Sequence, residues 1–427
     1  MLSIDLIRQK PAQVREGLGR RGEEEDLTSL LNLDESWRAL VSTASTLRAE
    51  RNQVSKEIGG LIMGGAKAEA ETLQIKMRDI GSKLTELEND RRVKEQELRD
   101  QMLMLPNLPL PGVPPGLDSS GNIVVKEAGV RKEFDFPLDP HWELAENLGI
   151  TDMERAANIS GSRFVLFAET GARLQRALTS WMLDFHREKH GYREVGVPFL
   201  VRRETMVRSA NLPRFMENLY RDEEDDLWLI PTAEVPLTSL HSDEIVDSQS
   251  LPLRYMAHSS CFRREKTAAG RDVRGIKRVH QFEKVEMYQF VHPSKSDDAL
   301  QEIIGHAEEI CRQLEIPYRV LQLCAGDLGF PSAQSYDLEL WAPASKEWLE
   351  VSSCSNCTDF QARRANIRFR PEPNRGPELL HTLNGSGLAI PRVMISILEN
   401  YQTADGSMIV PKVLQPYLGQ AQLNRVK

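Results

Sequence analysis

The chain has 427 residues, with 54 Lys and Arg against 63 Asp and Glu, a formal charge of −9 and a pI of about 5.7. That length suits two or more domains, and the acidic balance excludes general electrostatic binding of nucleic acid, leaving local basic patches for any such contact. No run approaches the ~20 apolar residues of a membrane-crossing helix. The start MLSIDLIRQK lacks an apolar leader core, and an odd total of five Cys fits a reducing, cytoplasmic setting and not a disulfide framework.

Residues 3–19 read as a short amphipathic piece, with Ile4, Ile7, Val14 and Leu18 on one face and Pro11 interrupting or starting a helix. Gly22 and the acidic residues 23–25 then mark a break. From Leu33 a heptad seam runs through Trp37, Leu40, Ala44, Leu47, Arg51, Val54, Ile58 and Leu61, interrupted only by Arg51. After Gly59, Gly60, Gly64 and Gly65 a second seam follows: Leu73, Met77, Ile80, Leu84, Leu87, Arg91, Lys94 and Leu98. Sustained steps of four and three predict two long helices joined by a short turn, an antiparallel coiled-coil hairpin. A first helix over residues 27–63 is about 55 Å long at ~1.5 Å per residue, so it is expected to protrude as an arm. Such an arm serves either as a spacer or dimerisation device, or as a reach toward a large ligand. Any RNA contact would use Arg48, Arg51, Lys56, Lys76, Arg78 or Lys83. The Pro-dense stretch 106–116 predicts a stiff, extended connection. The expected layout is therefore an arm at 1–105, a linker at 106–118 and a second domain at 119–427.

Within that second domain, residues 160–164 read as a turn into a strand, 172–190 as an amphipathic helix and 192–198 as a strand ending at proline. His141, beside Trp142, reads as structural. A strand at 227–230 delivers Pro231, Thr232, Ala233 and Glu234, which by themselves read as a helix cap. Residues 261–290 read as strand, charged loop with Gly270, Arg271, Asp272 and Gly275, and returning strand. Arg263 and Glu265 are expected on one face by the strand period of two. An arginine fork suits a phosphate or carboxylate, while Arg278, Gln281, Phe282 and Glu286 add a cation, an amide, an aromatic face and a carboxylate. A solvated, salt-bridged hairpin would show the same charges. Residues 336–341 and 348–353 alternate as two antiparallel strands, and Glu350 and Ser353 are oxygen ligands of the kind Mg²⁺ takes. Cys354 and Cys357 form a CxxC with no second ligand pair, which favours buried structural thiols. Glycines 385 and 387, Ser386 and Arg392, ahead of an apolar helix at 393–401, suit a small polar or anionic ligand at a helix start.

The strings FRRE, GRDVRG and RVHQFEKVE resemble motif 2 of class II aminoacyl-tRNA synthetases, in the form found in the seryl-tRNA synthetase family. The helix and strand at 172–198 look like motif 1 of that class, and residues 381–392 look like motif 3. The triplet at Thr232–Ala233–Glu234 and the stretch EVSSCSNCTDFQARR are also similar to that family, as is the close at 410–417. The resemblance implies an α+β class II fold: a mostly antiparallel sheet flanked by helices, with an N-terminal coiled-coil hairpin arm. It implies an ATP-dependent ligase of the bacterial type. Serine would be activated to its adenylate and passed to tRNA(Ser), with tRNA(Sec) as a further acceptor, by a cytoplasmic homodimer using Mg²⁺. The implied serine contacts are Thr232, Ala233, Glu234, Arg263, Glu286, Asn384 and Ser386. The implied ATP contacts are Arg263, Arg264, Glu265, Arg278, Val279, Phe282, Glu350, Val351, Ser352, Ser353 and Arg392. Arg263, Glu286 and Arg392 carry the catalytic roles, and Glu350 and Ser353 hold the metal. Two departures stand out: Pro391 precedes the motif 3 arginine where Gly is common, and Gln334 stands where Lys is expected. Class II enzymes for threonine or proline lack the heptad arm and the HQF-x-KVE string, and a silent coiled-coil scaffold has no need of Arg263, Glu286 and Arg392 together.

Overall fold

A computed structural model describes residues 1–266, 274–372 and 374–426. Residues 270–272 of the expected hairpin loop lie outside them. Contacts divide the chain into two units, one of residues 2–19 with 23–105, the other of Met1, residues 20–22 and residues 106 onward.

The first unit contains α1 (Ile4–Gln9), the first two turns of α2 (Pro11–Arg20), α3 (Leu27–Met63) and α4 (Lys67–Met104). Pro11 opens α2, where its missing N–H costs nothing. Asp26 caps α3 by accepting from the Thr28 amide at 2.9 Å. The seam is the one the heptads describe: Ala44, Val54, Ile58, Ile80 and Leu84 are buried, with Leu47, Leu73 and Met77 packed against them, and Arg51 is exposed. Each fully buried aliphatic side chain of this kind contributes roughly 1.5–3 kcal/mol. A buried Asp34 ties α1 to α3 through Arg8 Nε at 2.7 Å and Arg38 Nε at 2.9 Å.

The second unit starts with the Pro-rich stretch, which is packed and not free: Val113 sits with Leu323, Ala325 and Leu328, and Asn107 Nδ2 donates to the Pro331 and Cys357 carbonyls at 2.9 Å. Its strands in chain order are β1 (Ile123–Ala128), β2 (Arg193–Glu194), β3 (Leu200–Arg202), β4 (Arg221–Asp222), β5 (Leu227–Leu229), β6 (Ile245–Asp247), β7 (Leu253–Phe262), β8 (Gln281–Val291), β9 (Tyr318–Gln322), β10 (Gln334–Ala342), β11 (Glu347–Thr358), β12 (Arg368–Arg370), β13 (Glu378–Leu379), β14 (His381–Ala389), β15 (Met408–Ile409) and β16 (Gln422–Leu423). Helices α5 (His141–Asn147), α6 (Met153–Ser160), α7 (Glu169–His190), α8 (Arg203–Arg208), α9 (Glu234–Thr238), α10 (Ser296–Gln313), α11 (Phe360–Ala365) and α12 (Ile390–Tyr401) intervene. Eight strands form the main sheet in the order β1-β9-β10-β11-β14-β8-β7-β2, antiparallel throughout except where β2 runs parallel to β7. One face packs on α7, α10 and α12 through residues such as Leu178, Met182, Ile303, Val285, Met287, Leu340 and Ile397. The other face packs Leu253, Ala257, Tyr288 and Phe290 of β7 and β8 on Leu237, Ala362 and Phe369, and elsewhere presents polar side chains.

Three expectations change. Residues 164–166 form no strand; an isolated bridge pairs Phe167 with Thr151, because only the 150–152 segment lies alongside. The strand expected at 192–198 is two residues long, since its partner β7 is met only at Tyr255 and Met256 and Pro198 has no N–H to donate. Residues 381–389, whose glycines are expected at a helix start, are a central strand. Gly385 and Gly387 serve close packing there. A Cβ at Gly385 would meet Ile303 and lie 3.1 Å from Cys354 Sγ, and one at Gly387 would lie 2.7 Å from His186 Nε2. Pro391 falls in the first turn of α12, where a proline is tolerated. Glu399 holds the β10–β11 turn and α5 together: it accepts from the Ala344 and Ser345 amides at 3.0 Å and faces His141 Nδ1 at 3.4 Å.

Candidate active site

On the polar face, β8, β11 and β14 meet the end of β7 and the start of α9 around a cavity of about 290 Å³. Alternation on β8 sends Val285 and Met287 into the helix-side core and Lys284 and Glu286 into the cavity. Ser386 on β14 lies directly across from Glu286. Thr232 sits just before α9. Its hydroxyl donates to Glu286 Oε2 at 3.0 Å and accepts from the Glu234 amide at 3.2 Å, so the cap reading and the ligand reading describe one hydroxyl.

Glu234 is held by Gln361 Nε2 at 2.6 Å and Asn384 Nδ2 at 3.2 Å, both on Oε1. Burial, reinforced by the neighbouring Glu286 charge, raises its carboxyl to about 7, against the opposing pull of the Gln361 bond, Lys284 and Arg263. Gln361 lies in the family-like stretch EVSSCSNCTDFQARR, where no pattern singles it out. Tyr288 and Thr382 donate to its carbonyl at 2.9 and 2.8 Å, and this turns its amide toward Glu234.

At the mouth, Arg263 stands one residue beyond β7, its Nε donating to the Pro231 carbonyl at 3.2 Å and its guanidinium 5.1 Å from the Phe282 ring centre. Glu265 does not share a strand face with it. The strand has ended, and Glu265 takes a left-handed backbone with φ of 48°. A 3.0 Å ion pair with Arg278 fixes its carboxylate at the cavity wall. Val279 and Phe282 complete that wall.

Glu350 and Ser353 are three residues apart, so strict alternation would place them on opposite faces. A bulge corrects this: Leu338 pairs with Ser352 and Glu339 with Glu350, leaving Val351 unmatched, and both polar residues line the cavity. Arg392 crosses to Glu350, donating to its carbonyl at 2.7 Å with its carboxylate at 3.4 Å. Directly opposite Ser353, Asp337 has a buried Oδ1 without a hydrogen-bond partner among the described residues, and burial and Glu350 push its carboxyl well up. An unpartnered carboxyl oxygen of Asp337 with Glu350 and the Ser353 hydroxyl beside it fits a cation that takes oxygen ligands. Among the described residues no cluster of three His, Cys, Asp or Glu could hold a metal, so two protein donors with phosphates and water are what this wall offers.

Of the residues expected in the site, Thr232, Glu234, Arg263, Glu265, Arg278, Val279, Phe282, Glu286, Glu350, Val351, Ser353, Asn384, Ser386 and Arg392 line the cavity together. Ala233, Arg264 and Ser352 do not. Ala233 is buried behind α9, Arg264 donates to the Leu219 carbonyl at 2.8 Å and lies over Tyr220, and Ser352 donates to the Ser386 carbonyl at 2.7 Å. Lys284, Lys277 and Ser355 line it without having been singled out. The CxxC thiols are buried and separate: Cys354 joins the helix-side core, while Cys357 accepts from Asn384 Nδ2 at 3.6 Å. Gln334 opens β10 and donates to the Tyr336 hydroxyl at 3.2 Å, outside the cavity lining.

An antiparallel sheet with arginines and carboxylates gathered over one face fits a class II aminoacyl-tRNA synthetase core, and residues 215–401 match the family model of the tRNA synthetase class II core domain (G, H, P, S and T). Residues 1–109 match the seryl-tRNA synthetase N-terminal domain. The serine–tRNA ligase of Thermomicrobium roseum is 54% identical over 99% of this chain and 94% of its own length, and that of a Roseiflexus species is 53% identical over 100% of both. The seryl-tRNA synthetase of Pyrococcus horikoshii, solved with ATP, is 39% identical and superposes over 100% of both chains with a TM-score of 0.92. The chain belongs to the seryl-tRNA synthetase family, ligases that join serine to tRNA.

Proposed function

We propose that this cavity joins L-serine to ATP as seryl-adenylate and then passes serine to tRNA(Ser). One observation carries the reading: two carboxylates, the half-buried Glu234 and the buried Glu286, lie at the floor of a cavity whose mouth holds Arg263 and Arg392. That arrangement suits a zwitterion with a hydroxyl below and a polyphosphate above. Glu234, with Thr232 and Asn384, receives the ammonium. Glu286 accepts the serine hydroxyl, with Ser386 across from it. Arg263 bridges the serine carboxylate and the α-phosphate. Phe282 stacks the adenine, Glu265 accepts from its amino group, and Arg392 holds the γ-phosphate.

A serine carboxylate oxygen attacks the α-phosphorus, the bond to the β-phosphate breaks, and pyrophosphate leaves. The terminal ribose hydroxyl of the tRNA then attacks the serine carbonyl and AMP leaves. No side chain forms a covalent intermediate, so the contribution of the protein is position and charge. Glu350 and Ser353 would hold Mg²⁺, which when bound neutralises phosphate charge. The N-terminal hairpin grips the tRNA. In its support, Arg51, Lys56 and Arg78 are exposed and make no salt bridge among the described residues, whereas Arg48, Lys76 and Lys83 are paired to Glu88, Glu50 and Asp79. By the same resemblance tRNA(Sec) is a second acceptor and the cytoplasm is the setting. Five free, buried thiols agree with a reducing compartment.

Serine-dependent ATP–pyrophosphate exchange tests the reading. Glu286→Ala is expected to collapse the serine-over-alanine ratio, which a hydroxyl-bonding site can hold as high as ~10⁴–10⁵, while leaving ATP binding nearly unchanged. An unaltered ratio in a folded variant would exclude Glu286 as the hydroxyl acceptor.

A further inference from the structure

One charged side chain on the cavity floor has no role in the reading above. Lys284 stands two residues before Glu286 on β8, so the two share a face. Its ammonium pairs with Glu286 Oε2, with the side chains only 9% and 2% exposed. Thr232 donates its hydroxyl to the same oxygen at 3.0 Å. Oε2 therefore accepts from two sides, from β8 and from the segment before α9, whereas no donor bonds Oε1 among the described residues. The cross-strand neighbours of Lys284 are Ser259 on β7 and Ala389 on β14, neither of them charged.

We infer that Lys284 is a positioning residue for substrate selection: it clamps Glu286 by Oε2 and leaves Oε1 for the substrate hydroxyl. The inference rests on the assignment of Glu286 as that acceptor. A carboxylate torsion is broad and roughly two-fold, so a carboxylate held at one oxygen is directed and an unheld one turns. A Glu286 that turns satisfies itself elsewhere when alanine occupies the site, and the unpaired-acceptor penalty that rejects alanine falls.

The test uses the full chain and compares Lys284→Met, which keeps the length and removes the charge, Lys284→Arg, which keeps the charge, and Glu286→Ala. Pyrophosphate exchange is measured with serine and with alanine, ATP affinity is measured without amino acid, and thermal melting checks each fold. Lys284→Met is expected to lower the serine-over-alanine ratio at least ~10-fold, mainly through serine KM, with ATP affinity nearly unchanged. Recovery of the ratio in Lys284→Arg supports the clamp. An unaltered ratio in Lys284→Met, with Glu286→Ala still lowering it, overturns the role of Lys284 alone. Equal losses for serine, alanine and ATP reduce Lys284 to structural support and also overturn it. An unaltered ratio in Glu286→Ala removes the assignment beneath. Should Lys284→Met melt as an unfolded protein, Lys284→Gln, uncharged but still a donor, carries the same measurement.

Discussion

Arg263 leaves β7 with its Nε bonded to the Pro231 carbonyl and its guanidinium against Phe282, so it is aimed before any substrate arrives. Preorganised donors of this kind are worth ~10²–10³ in rate, and Arg263→Ala is expected to lower exchange by at least that factor while thermal melting stays near wild type. A loss below tenfold in a folded variant contradicts the assignment. Glu234 makes a different prediction, because its carboxyl is raised to about 7 and the serine ammonium needs it ionised. Serine KM should therefore fall as pH rises through about 7, with ATP KM flat, and Glu234→Gln should abolish the dependence. The stability sign is opposite. Between the ordinary 4.5 and about 7 the folded protein binds more protons at Glu234 than the unfolded chain does, so this group lowers stability as pH rises. Serine binding in the same range should release protons, which calorimetry in buffers of different ionisation enthalpy would read.

At the scale of elements, the long hairpin and the sheet are built on separate logics. The α3–α4 seam is closed by its own buried residues, and the residues from Pro106 onward group with the sheet unit. Replacing residues 27–103 by a short Gly-Ser bridge is therefore expected to spare serine-dependent exchange and remove charging of tRNA. Equal charging by the shortened protein would refute the role of the arm. Within the sheet, β14 does two jobs at once. Gly385 and Gly387 let α10 and α7 approach one face, while Asn384 and Ser386 present polar atoms to the other. A loop could satisfy neither requirement, because its backbone groups would need partners that a central strand finds in β8 and β11.

At the scale of the whole molecule, the eight-stranded sheet ends at β2, a two-residue strand followed by the half-exposed apolar side chains of Phe199 and Leu200. The resemblance of α7 and β2 to motif 1 points to a homodimer through residues 172–198. Sedimentation at assay concentration is expected to give a single dimeric species. A fully active monomer would count decisively against it. No helix among the described residues is long and apolar enough to cross a membrane.

Much of this was legible in the chain. Heptad steps of four and three specify a two-helix hairpin because a 3.6-residue turn must keep its apolar seam facing a partner. Likewise the strings around Arg263 and Glu286 mark a hairpin with charges at its end, and β7 and β8 pair in that register, from Phe262 with Gln281 to Ala257 with Glu286. What pattern alone could not supply depends on partners distant in sequence. Glycines 385 and 387 read as part of a helix start, since what demands them is the approach of Ile303 and His186. Glu350 and Ser353 share a face only because β10 forces a bulge at Val351. Glu265 reaches Arg278 from a left-handed turn and not from a strand face. Gln361 acquires its role by meeting Glu234 across the fold, and the Lys284–Glu286 pair, two residues apart on β8, acquires its role when Thr232 closes on the same carboxylate. Local periodicity encodes which face a residue takes within its own element; which charges share the cavity floor, and so which carboxylate oxygen is held and which is free, is decided only when the strands are brought together.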